Sequence, residues 1–201
     1  MAERADEAPL LADLDDFTAW LAGRTGRYEF LDGRIVAMAG GSELHNDIQV
    51  NLLAALKRKL RGGPCKPNGP DLLVRTDAAG RRGRFPDASI TCGRESGRYV
   101  TRPVVLFEIL SPETELVDRT EKRREYQAIP SVAHYVLIGQ EVRRVEVYSR
   151  DGAGWRFREV ESDAEPFRLD PLGIELTLAE LYDGLDEMVP PATAVPGSVS
   201  V

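Results

Sequence analysis

Apolar residues at Leu10, Leu14, Phe17 and Leu21 recur at helical spacing and stop at Gly23 and Gly26, so the first predicted element is a short amphipathic helix. The period then changes. Between Arg27 and Gly41, two β-rich stretches flank Asp32-Gly33, a dipeptide suited to the positive-φ turn of a tight hairpin. Ser42 is a good N-cap, and behind it Leu44, Ile48, Leu52, Leu56 and Leu60 return every fourth residue. That stripe predicts one long helix, ended by Gly62-Gly63-Pro64. Three strands are predicted next, Asp71–Thr76, Phe85–Thr91 and Pro103–Leu110, separated by Arg/Gly-rich turns. A polar helix follows over Glu113–Ile129, with Pro130 just beyond it. Ala133–Ile138 is continuously apolar, as in a strand covered on both faces. Arg143–Ser149 and Trp155–Val160 alternate around Asp151-Gly152-Ala153-Gly154, a second hairpin, and a small helix is predicted over Leu178–Leu185.

The central order of helix, three strands, helix and strand predicts an α/β fold with a mixed sheet. A length of 201 residues, with 42% hydrophobic and 29% charged positions, suits a single globular domain. Its expected span is 8–188, with the Pro/Ala/Ser-rich segment 189–201 expected to be disordered. No apolar run approaches the ~18 residues of a membrane helix, and no membrane partner is expected. The first sixteen residues are acidic where a signal peptide would be basic and then apolar, so a cytoplasmic location is expected. Cys65 and Cys92 are too few for a disulfide framework or a four-thiolate zinc site and are expected as free or buried thiols.

The net charge of −7 conceals a segregation: residues 1–56 carry net −6, residues 57–124 net +7 and residues 125–201 net −8. A basic middle can attract a phosphate backbone. The plainer alternative is that Arg81, Arg82, Arg84, Arg94, Arg98 and Arg102 only solvate loops.

Within that middle, three ionisable residues occupy positions that a purely structural segment would fill otherwise. Glu108 lies inside Val104-Val105-Leu106-Phe107-Glu108-Ile109-Leu110, a run apolar on both faces, where an ionised carboxylate needs a partner or a metal. Asp87 follows Pro86 in β-rich sequence, although Asp is a poor strand former. Lys122 shares a helical face with Tyr126 and Ile129 at i, i+4 and i+7. Two carboxylates on adjacent strands beneath one ammonium form a net-negative cluster that suits a hard cation, Mg²⁺ or Mn²⁺. Next to such an ion, an activated water can attack a phosphodiester in line.

The segments YEFLDGRIVAM, the His45-containing helix, FPDASI, VVLFEILSPET and DRTEKRREY together resemble the Uma-type restriction endonuclease family of the PD-(D/E)XK nuclease superfamily, from about Phe17 to Tyr182. The ordered set carries the resemblance, with separations of 21 residues from Asp87 to Glu108 and 14 from Glu108 to Lys122. It implies a restriction-endonuclease-like core with added terminal hairpins. It also implies Asp87, Glu108 and the main-chain carbonyl of Ile109 as metal ligands. The lysine of the (D/E)XK motif would fall on Leu110, so its role passes to Lys122 on the following helix. Val136 stands where members of the family often carry Trp.

Each residue also has a plainer reading. Glu108 could pair with Arg75 or Arg84, Asp87 could bond its own backbone at a strand edge, and Lys122 could form an exposed pair with Asp118. His45, in the first turn of its helix, is expected as a neutral base or a partner of metal-bound water, or else as a backbone-bonding side chain. Glu29 is a candidate third acid, and Tyr126 reads as packing. The resulting expectation is a metal-dependent phosphodiester hydrolase acting on nucleic acid, DNA ahead of RNA, as a symmetric dimer. The rivals are a catalytically silent binding module of the same fold, and a metal-free acid/base hydrolase using Glu108 and Asp87.

Overall fold

A computed structural model of the chain describes residues 9–38, 40–93 and 97–192. In chain order the elements begin α1 (Leu14–Leu21), β1 (Tyr28–Leu31), β2 (Arg34–Ala37), α2 (Glu43–Lys59), β3 (Cys65–Asn68), β4 (Val74–Arg75), β5 (Arg82–Arg84), β6 (Ala88–Cys92) and β7 (Pro103–Leu110). There follow α3 (Glu115–Val117), a π-helical turn (Asp118–Lys122), α4 (Arg123–Ala128), β8 (His134–Gly139), β9 (Val145–Asp151), β10 (Gly154–Val160), β11 (Phe167–Leu169), β12 (Ile174–Leu176) and α5 (Leu178–Leu181). This is a mixed α/β fold.

The central sheet runs β10-β9-β8-β7-β6-β3. Only β7 and β8 are parallel, because the helical segment 115–128 carries the chain back across the sheet between them. Alternation along β7 sends Val105, Phe107 and Ile109 into one core with Ile48, Leu52 and Leu56 of α2. Leu106 and Leu110 enter a second core on the opposite face with Tyr126, Ile129, Tyr135 and Leu137. Glu108 is the position between them on that second face. A smaller sheet, β2-β1-β5-β4, carries the hairpin. Its turn is the expected one, with Asp32 at φ 51° and Gly33 at φ 87°. Phe30 and Ile35 pack on Leu14 and Phe17 of α1, leaving the other face of the hairpin to Glu29 and its cross-strand partner Val36.

Several expectations are corrected. The predicted strand Asp71–Thr76 shrinks to β4 and joins the smaller sheet, and the edge strand β3 that borders β6 was not expected. Pro67 obscured β3, and it is tolerated because β3 is a sheet edge. The Arg/Gly-rich stretch before Phe85 contains β5 rather than a turn. The helix over Glu113–Ile129 is interrupted by the π-turn. The hairpin β11–β12 had no counterpart in the expected elements. Order also continues past residue 188: Val189 is buried, and the Arg143 amide donates to the Pro190 carbonyl at 2.9 Å. Residues 193–201 of the expected disordered tail, and Arg94, lie outside the described residues. Finally, Cys65 and Cys92 are not free thiols. They are register partners on β3 and β6, with Cα atoms 3.9 Å apart, and form a disulfide. Cross-strand register, not sequence spacing, brings them together.

Candidate active site

The β6–β7 register ends at Ala88↔Phe107, with Asp87 in the bend just before β6 and Glu108 the next residue of β7. Both side chains are nearly withdrawn from solvent, Asp87 at 8% and Glu108 at 2% exposure. Asp87 is fixed from two sides: its Oδ2 accepts from the Ile109 amide at 2.7 Å and lies 3.1 Å from His45 Nε2. Gln49 Nε2 donates to the Asp87 carbonyl at 2.9 Å, tying the same loop to α2. Glu108 Oε1 accepts from the Tyr126 hydroxyl at 2.8 Å, and Oε2 faces Lys122 Nζ at 3.0 Å. Burial raises the pKa of Asp87, opposed by the Ile109 amide and by His45. Burial also holds Glu108 well above the usual carboxylate range, and the Asp118 and Asp87 charges add to it against Lys122.

The π-turn supplies the other half of the site. Its wider winding turns both Asp118 and Lys122 inward. Lys122 Nζ lies 2.8 Å from Asp118 Oδ1, while Asp118 Oδ2 accepts from Thr114 Oγ1 at 2.8 Å. The Lys122–Asp118 pair is therefore buried, not the exposed pair of the plainer reading, and Lys122 meets Glu108 as well. Burial opposes the Lys122 charge, but Glu108, Asp118 and Glu29 outweigh it and raise the ammonium pKa, so Lys122 stays charged. Asp118 and the Tyr126 hydroxyl are contributors that the sequence reading missed. An Asp four residues before Lys122 was visible, but the π-turn that buries it was not.

Glu29 reaches the same hollow but is already engaged. Its Oε2 accepts from Arg84 Nη1 at 2.7 Å. Arg84 also donates to Glu125 at 2.9 and 3.1 Å, and Arg82 donates to Glu125 at 2.6 Å. The plainer reading of Glu108 as an arginine pair is thus wrong, since Arg84 serves Glu29 and Glu125. Arg82 and Arg84 are likewise committed to internal acids, and neither merely solvates a loop.

Glu29, His45, Asp87, Glu108 and Lys122 all line one cavity of about 320 Å³, whose remaining wall includes Leu31, Val36, Met38 and Val117. Among the described residues, no three His, Cys, Asp or Glu side chains form a ready-made metal cage. A Mg²⁺-type ion needs no such cage, because it keeps several waters and takes one or two carboxylates. The donor set fits that demand: Glu108 and Asp118 share the one ammonium of Lys122, and Asp87 and Glu108 are charged only at a desolvation cost.

The Uma2 family model, described as "Putative restriction endonuclease", matches residues 14–179. The chain belongs to the Uma2 family. An uncharacterized Synechocystis sp. protein, slr1290, is 29% identical over 175 residues, covering 85% of this chain and 91% of that protein. A second from the same organism, sll1609, is 29% identical over 133 residues, covering 64% of this chain and 75% of that protein. Among solved structures, a "putative nuclease belonging to DUF820" from Anabaena variabilis superposes with a TM-score of 0.68 at 17% identity, covering 85% of this chain and 97% of that one. At that identity the likeness concerns the fold, which is restriction-endonuclease-like. Among the described residues, no helix of this Uma2 protein is long and apolar enough to cross a membrane.

Proposed function

We propose that this Uma2 protein is a metal-dependent nuclease that hydrolyses phosphodiester bonds in nucleic acid. One observation carries the reading: Asp87, one residue before β6, and Glu108 on β7 line one cavity, with more buried carboxylate charge around them than Lys122 offsets. Asp87 and Glu108 would hold Mg²⁺ or Mn²⁺, with the Ile109 carbonyl as the further donor that the family resemblance implies. A divalent cation there would neutralise phosphate charge and lower the pKa of a bound water.

The chain's own groups do the positioning. The Ile109 amide and His45 fix the Asp87 carboxylate, and Tyr126 fixes Glu108. Lys122 brings a permanent positive charge to the Glu108 side of the cavity, where it can orient an attacking water or meet the charge that develops on the phosphate. Glu29, held by Arg84, shapes the field of the site rather than offering a free ligand. A symmetric dimer belongs to the same proposal and is checked by sedimentation.

The test is incubation of the purified protein with mixed DNA and RNA plus Mn²⁺, beside Asp87→Ala and a chelator control. Cleavage by the parent alone, abolished by EDTA, is expected. Equal cutting by both proteins would overturn the assignment, and activity that survives EDTA would favour metal-free acid/base chemistry. Silence of the parent would favour a binding module of the same fold.

A further inference from the structure

Beside the acidic cavity lies a second hollow of about 180 Å³, and the two share Arg27, Met38 and Phe85 as common wall. The second hollow adds Tyr28 and Arg24. Consecutive residues of β1 thus serve the two spaces, Tyr28 in one and Glu29 in the other. The Tyr28 ring is held in place. It stands edge-on to Trp20 with centroids 5.1 Å apart, and the Arg24 guanidinium lies 4.3 Å over the Trp20 ring. Behind it is Gly26 at φ 141°, where a Cβ would fall 2.8 Å from the Tyr28 ring, so a larger residue would displace the aromatic.

We infer that this second hollow receives an unpaired base next to the phosphate being cut, so that the substrate is a single-stranded nucleic acid or an unpaired segment of one. The inference rests on the nuclease reading of the adjoining acids. Aromatic faces for bases, flanked by guanidinium groups for phosphates, are the combination that binds single strands without reading sequence. The wall between the two spaces sets Met38 and Phe85 beside Arg27, and the second hollow also carries Asp71.

The depth of the acids argues the same way. A duplex presents its phosphates on a convex ridge with the bases stacked inside, whereas Asp87 and Glu108 are 8% and 2% exposed at the wall of a concave hollow. A strand whose bases are unstacked can thread a phosphate to that depth and leave a base in the neighbouring hollow. Arg27, from the acidic N-terminal third, lines both hollows and serves this path. Arg82 and Arg84 of the basic middle are spent on internal carboxylates.

The test is fluorescence anisotropy of the full chain in chelator, where cutting is off, with a labelled twelve-residue oligothymidine and the same strand annealed to its complement. The unpaired strand is expected to bind at least about tenfold more tightly. Tyr28→Ala should weaken that binding about tenfold, the loss of one base–aromatic stack, while Tyr28→Phe stays within about twofold of the parent. Should Tyr28→Ala fail to fold, photocross-linking of an oligonucleotide carrying 5-iododeoxyuridine to the parent gives a second readout, expected at Tyr28 or Phe85. Duplex binding as tight as single-strand binding, an indifferent Tyr28→Ala or cross-links confined elsewhere would overturn the inference. Because binding is read without turnover, these results are separate from those of Asp87→Ala, which judge the hydrolytic reading alone.

Discussion

Two groups of charged side chains meet at one cavity, which Glu29 and Arg84 line from the first and Asp87, Glu108 and Lys122 from the second, and they behave oppositely. In the first, Arg84 and Arg82 hold Glu125 and Arg84 holds Glu29, with further carboxylate contacts from Glu121 to Arg84 and from Asp32 to Arg82. Burial alone would raise the Glu125 pKa, but the Arg84 hydrogen bonds, with the charges of Arg84 and Arg82, more than reverse it. In the second, Asp87, Glu108 and Asp118 have one ammonium among them, and burial leaves the Asp87 and Glu108 pKa values raised. Forked guanidinium groups saturate an acid geometrically, whereas a lysine offers one point charge. The first group is a closed structural clamp, and the second is left with charge that a cation would offset. Burial of an acid is common to both, so the supply of counter-charge is what separates framework from site.

The comparison is broken most severely at Arg84. Arg84→Ala strands Glu29 and Glu125 without their main partner and should cost about 3–5 kcal/mol of stability, read as a fall in the urea midpoint. Next in size, Asp87→Ala and Glu108→Gln should lower Mn²⁺-dependent cleavage by about 10²–10³-fold or more. In contrast to Arg84→Ala, Glu108→Gln should leave the metal-free protein as stable as the parent or more so at neutral pH, because it removes a poorly compensated buried charge. A matching loss of stability would mean that Glu108 is framework. Lys122→Met should reduce cleavage while Mn²⁺ still binds, since it removes a competitor for the same carboxylates, and loss of both would make Lys122 a structural residue.

The smallest effect is a pH signature. The Glu125 pKa in the folded state lies below its ordinary value of 4.5, so its contribution is full above that value and is lost as pH falls through the folded pKa. Glu108 has the opposite sign. Its raised pKa favours the fold below 4.5, and that contribution is lost as pH rises through the folded pKa. Denaturation of the metal-free protein at several pH values should show the deficit of Glu125→Gln shrinking in acid. Glu108→Gln should instead compare best with the parent at neutral pH. Parallel curves for the two variants would erase the distinction.

Much of the framework was legible because its determinants are local. The four-residue stripe from Ile48 to Leu56 became the buried face of α2, Asp32-Gly33 turned the hairpin, and the two-sided apolar run around Glu108 became a strand covered on both faces. The misplaced acids were also readable, since Glu108 contradicts the apolar strand that holds it and Asp87 interrupts the β-rich sequence before β6. What was hidden depends on tertiary partners. The π-turn has no sequence period of its own, so the burial of Asp118 with Lys122 could not be anticipated. β3 contains a proline that only an edge position permits, and the Cys65–Cys92 bond follows from the register of that unforeseen strand with β6. The arginines of the basic middle looked like a phosphate-binding face, but which acids Arg82 and Arg84 would meet was set by the pairing of β5 with β1.

The central claim, that the acids beside Lys122 lack counter-charge while those beside Arg84 do not, is tested most directly by calorimetric titration of Mn²⁺ into the parent and into Asp87→Ala. We predict saturable binding of about one ion per chain by the parent, weakened at least about tenfold in the variant. Heats for the parent equal to dilution, or the same affinity in both proteins, would contradict the account.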